Sequence, residues 1–129
     1  MMQKKVQAII YTEEKGKKKY LILHRKLHWV GWEFLKETIK PKESYEETIR
    51  RGIQEEIGVT NITIEKEKPI QIKINETTAI IYVYMIKVDA KEKIDITKEV
   101  EHDDYKWVTK EEAKKLLTYD DAKKLLEEF

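Results

Sequence analysis

ETIKPKESYEETIRRGIQEEIGV, residues Glu37 to Val59, leads from a loop into an amphipathic helix with acidic residues gathered at its far end. Ser44 followed by Glu47 has capping-box spacing, in which the serine oxygen and the glutamate carboxylate each satisfy a free amide of the first turn. Tyr45, Ile49, Ile53 and Ile57 recur as one apolar stripe, and Gly58 tolerates the left-handed turn that closes a helix. The spacing predicts a helix over Tyr45 to Ile57. Residues three and four apart share a helix face, so Arg51 stands one turn before Glu55, and positions 52, 55 and 56 present their side chains together. Glu55 and Glu56 offer the oxygen donors that a hard cation such as magnesium shares with water and substrate phosphates.

On either side of this segment the chain alternates between strand-like and helix-like patterns. Val6 to Tyr11 and Tyr20 to Arg25 are apolar and β-prone around a charged turn at Gly16, which predicts a hairpin. A third short strand is expected over Trp32 to Lys36. Beyond the helix, Thr60 to Ile64, Ile70 to Ile74 and Thr78 to Val88 are rich in β-branched and aromatic residues and predict further strands. Tyr82, Tyr84 and Ile86 share one face of the last of these. Tyr105 to Val108 predicts a final strand, and Thr109 with Glu112 repeats the capping box before a helix using Ala113, Leu116 and Leu117. A terminal helix over Asp120 to Phe129 covers the sheet with Ala122, Leu125 and Leu126. The fold class is α/β (α+β), a mixed sheet packed between helices, in a single domain over residues 1–129.

Composition narrows the chemistry. The 129 residues suit one core, with 40% hydrophobic and 40% charged residues. Lys and Arg number 26 against 25 Asp and Glu, so net charge gives no argument for nucleic acid or membrane as a partner. Without cysteine there is no disulfide, thiolate metal site or cysteine nucleophile, which suits a reducing cytoplasm. No apolar run approaches the roughly 20 residues needed to span a bilayer. Abundant Lys, Glu and Ile suit the surface ion-pair networks of heat-adapted proteins. Trp29, Trp32 and Trp107 are read as core or edge packing.

Glu43, Arg51, Ile53, Glu55, Glu56, Gly58 and Val59 stand at the offsets of the Nudix hydrolase signature, and the chain resembles that family. The signature runs Gly, five residues, Glu, seven residues, Arg-Glu, aliphatic, any residue, Glu-Glu, any residue, Gly, aliphatic. Two positions depart from it: Glu37 replaces the first glycine, and Gly52 replaces the glutamate beside the arginine. In the family that glutamate is commonly a metal ligand. Its absence moves any base role to a group such as Glu55, Glu101 or His102. HWVGWEFLKETIKPKES and EHDDYKWVTKEEAKKLL are further similar to segments of the asymmetrical diadenosine tetraphosphate hydrolase branch.

The resemblance implies an α/β/α sandwich and magnesium-dependent hydrolysis of a nucleoside polyphosphate, diadenosine tetraphosphate to ATP and AMP, with manganese as an alternative cation. It implies Glu55, Glu56 and Glu101 as metal-binding and catalytic carboxylates. Lys36 and His102 would lie near the phosphates, and Glu43, Arg51 and Gly58 would be structural parts of the motif. A nucleobase needs a flat apolar surface, for which Tyr82, Tyr84 and Tyr105 are candidates. Two alternatives stay open: a Nudix pyrophosphatase for nucleoside triphosphates or ADP-ribose, and a Nudix-fold module that binds nucleotide or protein without turnover, motivated by Gly52 and Glu37. The expected partner is a small molecule, and the expected state a cytoplasmic monomer or homodimer.

Overall fold

The computed structural model describes residues 4–74 and 77–128. Seven strands form one mixed sheet. They are β1 (Lys5–Glu14), β2 (Lys17–Arg25), β3 (Gly31–Glu33), β4 (Leu35–Thr38), β5 (Ile62–Ile74), β6 (Thr77–Val88) and β7 (His102–Val108). The helices are α1 (Tyr45–Ile57), α2 (Lys110–Leu116) and α3 (Asp120–Glu128). Phe129, expected in the terminal helix, lies outside the described residues.

Central strand β1 pairs in parallel with β6, which pairs antiparallel with the edge strand β5. Alternation along β1 divides the core. Val6, Ala8 and Ile10 pack with Ile49, Ile53 and Ile57 of α1, while Ile9 and Tyr11 pack with Ala113, Leu117, Leu125 and Leu126 beneath α2 and α3. The period of two thus builds an α/β/α sandwich with a separate apolar layer on each face.

The β1–β2 hairpin pairs only over Tyr11–Glu14 against Lys17–Tyr20. Beyond that the two strands part, and the segment expected as one strand over Trp32 to Lys36 fills the fork as two. β3 pairs with the far half of β2, and β4 with the near half of β1. The break falls at Phe34, which is fully buried. One continuous strand cannot hydrogen-bond two diverging partners, so the segment changes partner at Phe34. This fork sets Glu33 and Glu37 on the α1 side of the sheet.

The strands expected over Thr60 to Ile64 and Ile70 to Ile74 are one, Ile62–Ile74, joined through the charged stretch at Glu65–Pro69. An edge position accepts that sequence, because a proline without N–H and a row of charges are tolerated where one side of the strand faces solvent. The register skips Glu65, a bulge from which its carboxylate accepts a hydrogen bond from the Tyr11 hydroxyl.

Candidate active site and metal centre

Helix α1 forms as its sequence predicts. The Glu47 amide donates to Ser44 Oγ at 3.1 Å, and the Ser44 amide donates to Glu47 Oε1 at 3.0 Å. Gly58 closes the helix in the left-handed region (φ 72°, ψ 18°), with its amide donating to the Gln54 carbonyl at 3.0 Å. Beside the apolar stripe runs a second buried row, Thr48, Gly52 and Glu56. Glu56 therefore lies on the packed side of the helix, whereas the Glu55 side chain is 40% exposed.

Arg51 ties the loop to the helix. Its guanidinium donates to both oxygens of Glu43, at 2.7 and 2.9 Å, and to the Thr38 carbonyl at 3.0 Å. It also reaches Glu37 and Glu55, each at 3.3 Å. Thr48 Oγ1 donates to Glu43 at 2.6 Å. These bonds, led by the Arg51 fork, hold the Glu43 carboxyl down at about 2.

At the opposite end of α1 a buried chain of polar groups begins. His102 sets Nδ1 3.2 Å from Glu56 Oε2 and Nε2 2.8 Å from Glu33 Oε2. Arg25 reaches Glu33 at 3.2 Å and Glu101 at 2.9 Å, so it joins β2 to the segment entering β7. Burial alone would lower the His102 pKa, but hydrogen bonds and charge from Glu33 and Glu56 outweigh it and raise the value to about 9. Both His102 ring nitrogens are thus engaged by carboxylates. Glu33 Oε1 is buried without a hydrogen-bond partner among the described residues.

Glu56, Glu101 and His102 bring one potential ligand atom each to within 4.8 Å of one another. Burial and then the neighbouring Glu56 raise the Glu101 pKa, because two carboxylates at close quarters cannot both ionise easily without a cation. They border a cleft of about 360 Å³ that is also lined by Glu37, Glu55 and Glu99. Lys5, Arg25 and Lys36 supply the cleft's positive charge. Burial lowers the Lys36 pKa, the strongest influence on that group. Oxygen donors from Glu55, Glu56 and Glu101 beside basic side chains suit a hard divalent cation shared with phosphate.

A family model for the NUDIX domain matches residues 2–129. The chain belongs to that family. No curated protein matches the sequence. Among solved structures, the Nudix chain is similar to a C. elegans Ap4A hydrolase in a binary complex, with TM-score 0.86 and 22% identity over 99% of this chain and 95% of that one. It is also similar to a MutT protein from Methanosarcina mazei Go1, with TM-score 0.78 and 22% identity over 98% and 91%. The NUDIX domain of Shewanella oneidensis NrtR complexed with ADP ribose gives TM-score 0.79 and 19% identity over 98% and 85%. The protein is a Nudix pyrophosphohydrolase of nucleoside diphosphate-linked substrates, the family's chemistry, in which a divalent metal generally takes part. No described helix is long and apolar enough to cross a membrane.

Of the residues expected at the site, Lys36, Glu55, Glu56 and Glu101 all line the cleft, and among the described residues Glu56 and Glu101, but not Glu55, belong to the close cluster of potential ligands. His102 is enclosed between Glu33 and Glu56, in the same cluster of potential ligands as Glu56 and Glu101. Tyr84, expected as a stacking surface, is instead 3% exposed, packed in the layer under α1. Tyr82 is half-buried and stacks on Tyr45, with ring centroids 4.0 Å apart. Tyr105 is half-buried on β7. Sequence reasoning missed Glu33 and Arg25. The available signal for Glu33 was one acidic residue between Trp32 and Phe34, and Arg25 ends an apolar strand, yet neither pattern names a partner.

Proposed function

We propose that the protein hydrolyses dinucleoside polyphosphates with magnesium, converting diadenosine tetraphosphate to ATP and AMP. The observation carrying this reading is the meeting of Glu56 and Glu101 at the mouth of a cleft that also holds Lys5, Lys36 and Arg25. The sequence likeness of the EHDDYKW segment to the diadenosine tetraphosphate branch supports the substrate choice, as does the similarity to a structure described as an Ap4A hydrolase.

Glu55, Glu56 and Glu101 would hold the cation. When bound, magnesium supplies positive charge against the phosphate oxygens and favours deprotonation of attacking water. Arg25 and the His102–Glu33 pair fix Glu101 and Glu56 before substrate arrives, so little reorganisation is left for the reaction itself. Lys36 and Lys5 neutralise the polyphosphate. The Arg51–Glu43 pair holds the loop before α1 against the helix, which keeps Lys36 and Glu55 on one cleft. With His102 occupied on both nitrogens, proton abstraction from water falls to Glu55 or Glu101. The half-buried Tyr82 and Tyr105 are the remaining surfaces for a base. We place the reaction in the cytoplasm.

The test is product analysis with diadenosine tetraphosphate, ATP and ADP-ribose, with and without magnesium, beside a Glu56→Gln control. Magnesium-dependent release of ATP and AMP from the dinucleotide, lowered roughly 100-fold or more in the control, is the expected result. Faster turnover of ATP or ADP-ribose would move the assignment to another Nudix substrate, and no turnover of any of the three by folded protein would reject it.

A further inference from the structure

Gly52 is the only glycine inside a described helix. At an interior position glycine weakens a helix relative to alanine, so its presence asks for a spatial reason. A Cβ built at residue 52 would stand 3.0 Å from Glu37 Cβ and 3.1 Å from Glu37 Cγ. The stem of Glu37 thus lies flat on α1 in the space that a side chain at 52 would need.

The two departures from the family signature, separate in sequence, are one contact in the fold. Glu37 is placed by β4, where it pairs with Val6 of β1. Its side chain is 19% exposed and lines the cleft with Glu55, Glu56 and Glu101. Glu37 Oε1 accepts from Arg51 at 3.3 Å and from the Thr38 amide at 3.2 Å. Arg51 cannot neutralise it fully, because the same guanidinium already engages both oxygens of Glu43 and one of Glu55. Five carboxylates, including Glu99, face three basic side chains around the cleft, a surplus that a divalent cation would offset.

We propose that Glu37 is a metal-binding carboxylate of this cleft, delivering from strand β4 the oxygen donor that residue 52 does not deliver from helix α1. Oε1 keeps the Arg51 and Thr38 contacts, and Oε2, which lies 3.4 Å from the position of a residue-52 Cβ, is the oxygen assigned to the cation. A Cβ at residue 52 would crowd the Glu37 stem, which would have to give by a few tenths of an ångström, so glycine suits the position. This inference rests on the metal-dependent reading of the site.

Manganese binding, followed by the electron paramagnetic resonance of the free ion, tests it on the full chain stripped of metal. The natural protein is compared with Glu37→Gln, Gly52→Glu, the exchange variant Glu37→Gly/Gly52→Glu, and Glu56→Gln. Melting curves with and without manganese accompany each titration. Glu37→Gln, which keeps the stem and removes the charge, should weaken binding roughly 10-fold or more and shrink the metal-induced rise in Tm. Gly52→Glu alone should melt lower than the natural protein, because two side chains then compete for one space. The exchange variant should recover most of the affinity lost in Glu37→Gln.

Natural affinity in Glu37→Gln alongside weakened binding in Glu56→Gln would overturn the role of Glu37 and leave the metal site standing. A folded exchange variant that binds no better than Glu37→Gln would also overturn it. Absence of manganese binding by the natural protein would remove both the metal site and this assignment.

Discussion

His102, Glu33 and Glu56 form a buried chain of one imidazole between two carboxylates, none of them more than 7% exposed in its side chain. Such a group is expensive to break from one side, because the charges left behind lose both water and partner. His102→Ala should therefore cost roughly 3–5 kcal/mol, read as a lower urea midpoint at unchanged slope. The Glu43–Arg51 pair gives a separate acid signature. Glu43 is held at about 2 in the fold against an ordinary value of 4.5. A depressed carboxyl stabilises the folded state at pH values above its unfolded pKa, and that contribution is lost as pH falls from about 4.5 toward 2. Melting temperature followed across that window should fall more steeply in the natural protein than in Glu43→Gln, which has no carboxyl to protonate.

Helix α1 contributes Glu55 and Glu56 to the cleft and, through Arg51, braces the loop that enters it, so its ends matter more than its length suggests. Ser44→Ala removes the acceptor for the Glu47 amide and should cost about 1 kcal/mol. Gly58→Ala should cost roughly 1–2 kcal/mol, because φ of 72° is unfavourable for a residue with a side chain. Its added Cβ would also stand 3.3 Å from Asp95 Cβ. Urea unfolding of both variants checks the magnitudes, and the Gly58 change should also weaken metal binding by shifting Glu55 and Glu56. The fork between β1 and β2 complements the helix. It admits β3 and β4 to the sheet and sets Glu33 and Glu37 on the α1 side without a long loop.

Taken whole, the molecule surrounds two apolar layers with a dense ionic surface. Lys68 meets Glu128 at 3.1 Å, Arg50 meets Glu46 at 3.5 Å, and Lys114 pairs with Glu127. Exposed pairs of this kind contribute little singly at 25 °C, and their weight grows with temperature as charge hydration becomes less favourable. Calorimetry should give a Tm above about 65 °C. A lower value would mean that the abundance of Lys and Glu serves solubility alone.

Local pattern was enough for some features and insufficient for others. The span of α1, its Ser44 cap and the Gly58 turn follow from interactions within one or two turns, so their information is contiguous in the chain. The shared face of Tyr82, Tyr84 and Ile86 is equally local, since strand alternation fixes it. Which of those tyrosines is buried was not local, because that depends on α1 covering the sheet. The break at Phe34 and the joining of Ile62–Ile74 across Pro69 depend on which strands lie alongside, and neither neighbour is adjacent in sequence. Glu43, Arg51, Glu55 and Glu56 were legible because they sit at motif offsets along one segment. Tertiary structure alone decided that His102 is shut between Glu33 and Glu56 and that Glu37 lies over Gly52, since both contacts join segments that the sheet, and not the chain, brings together.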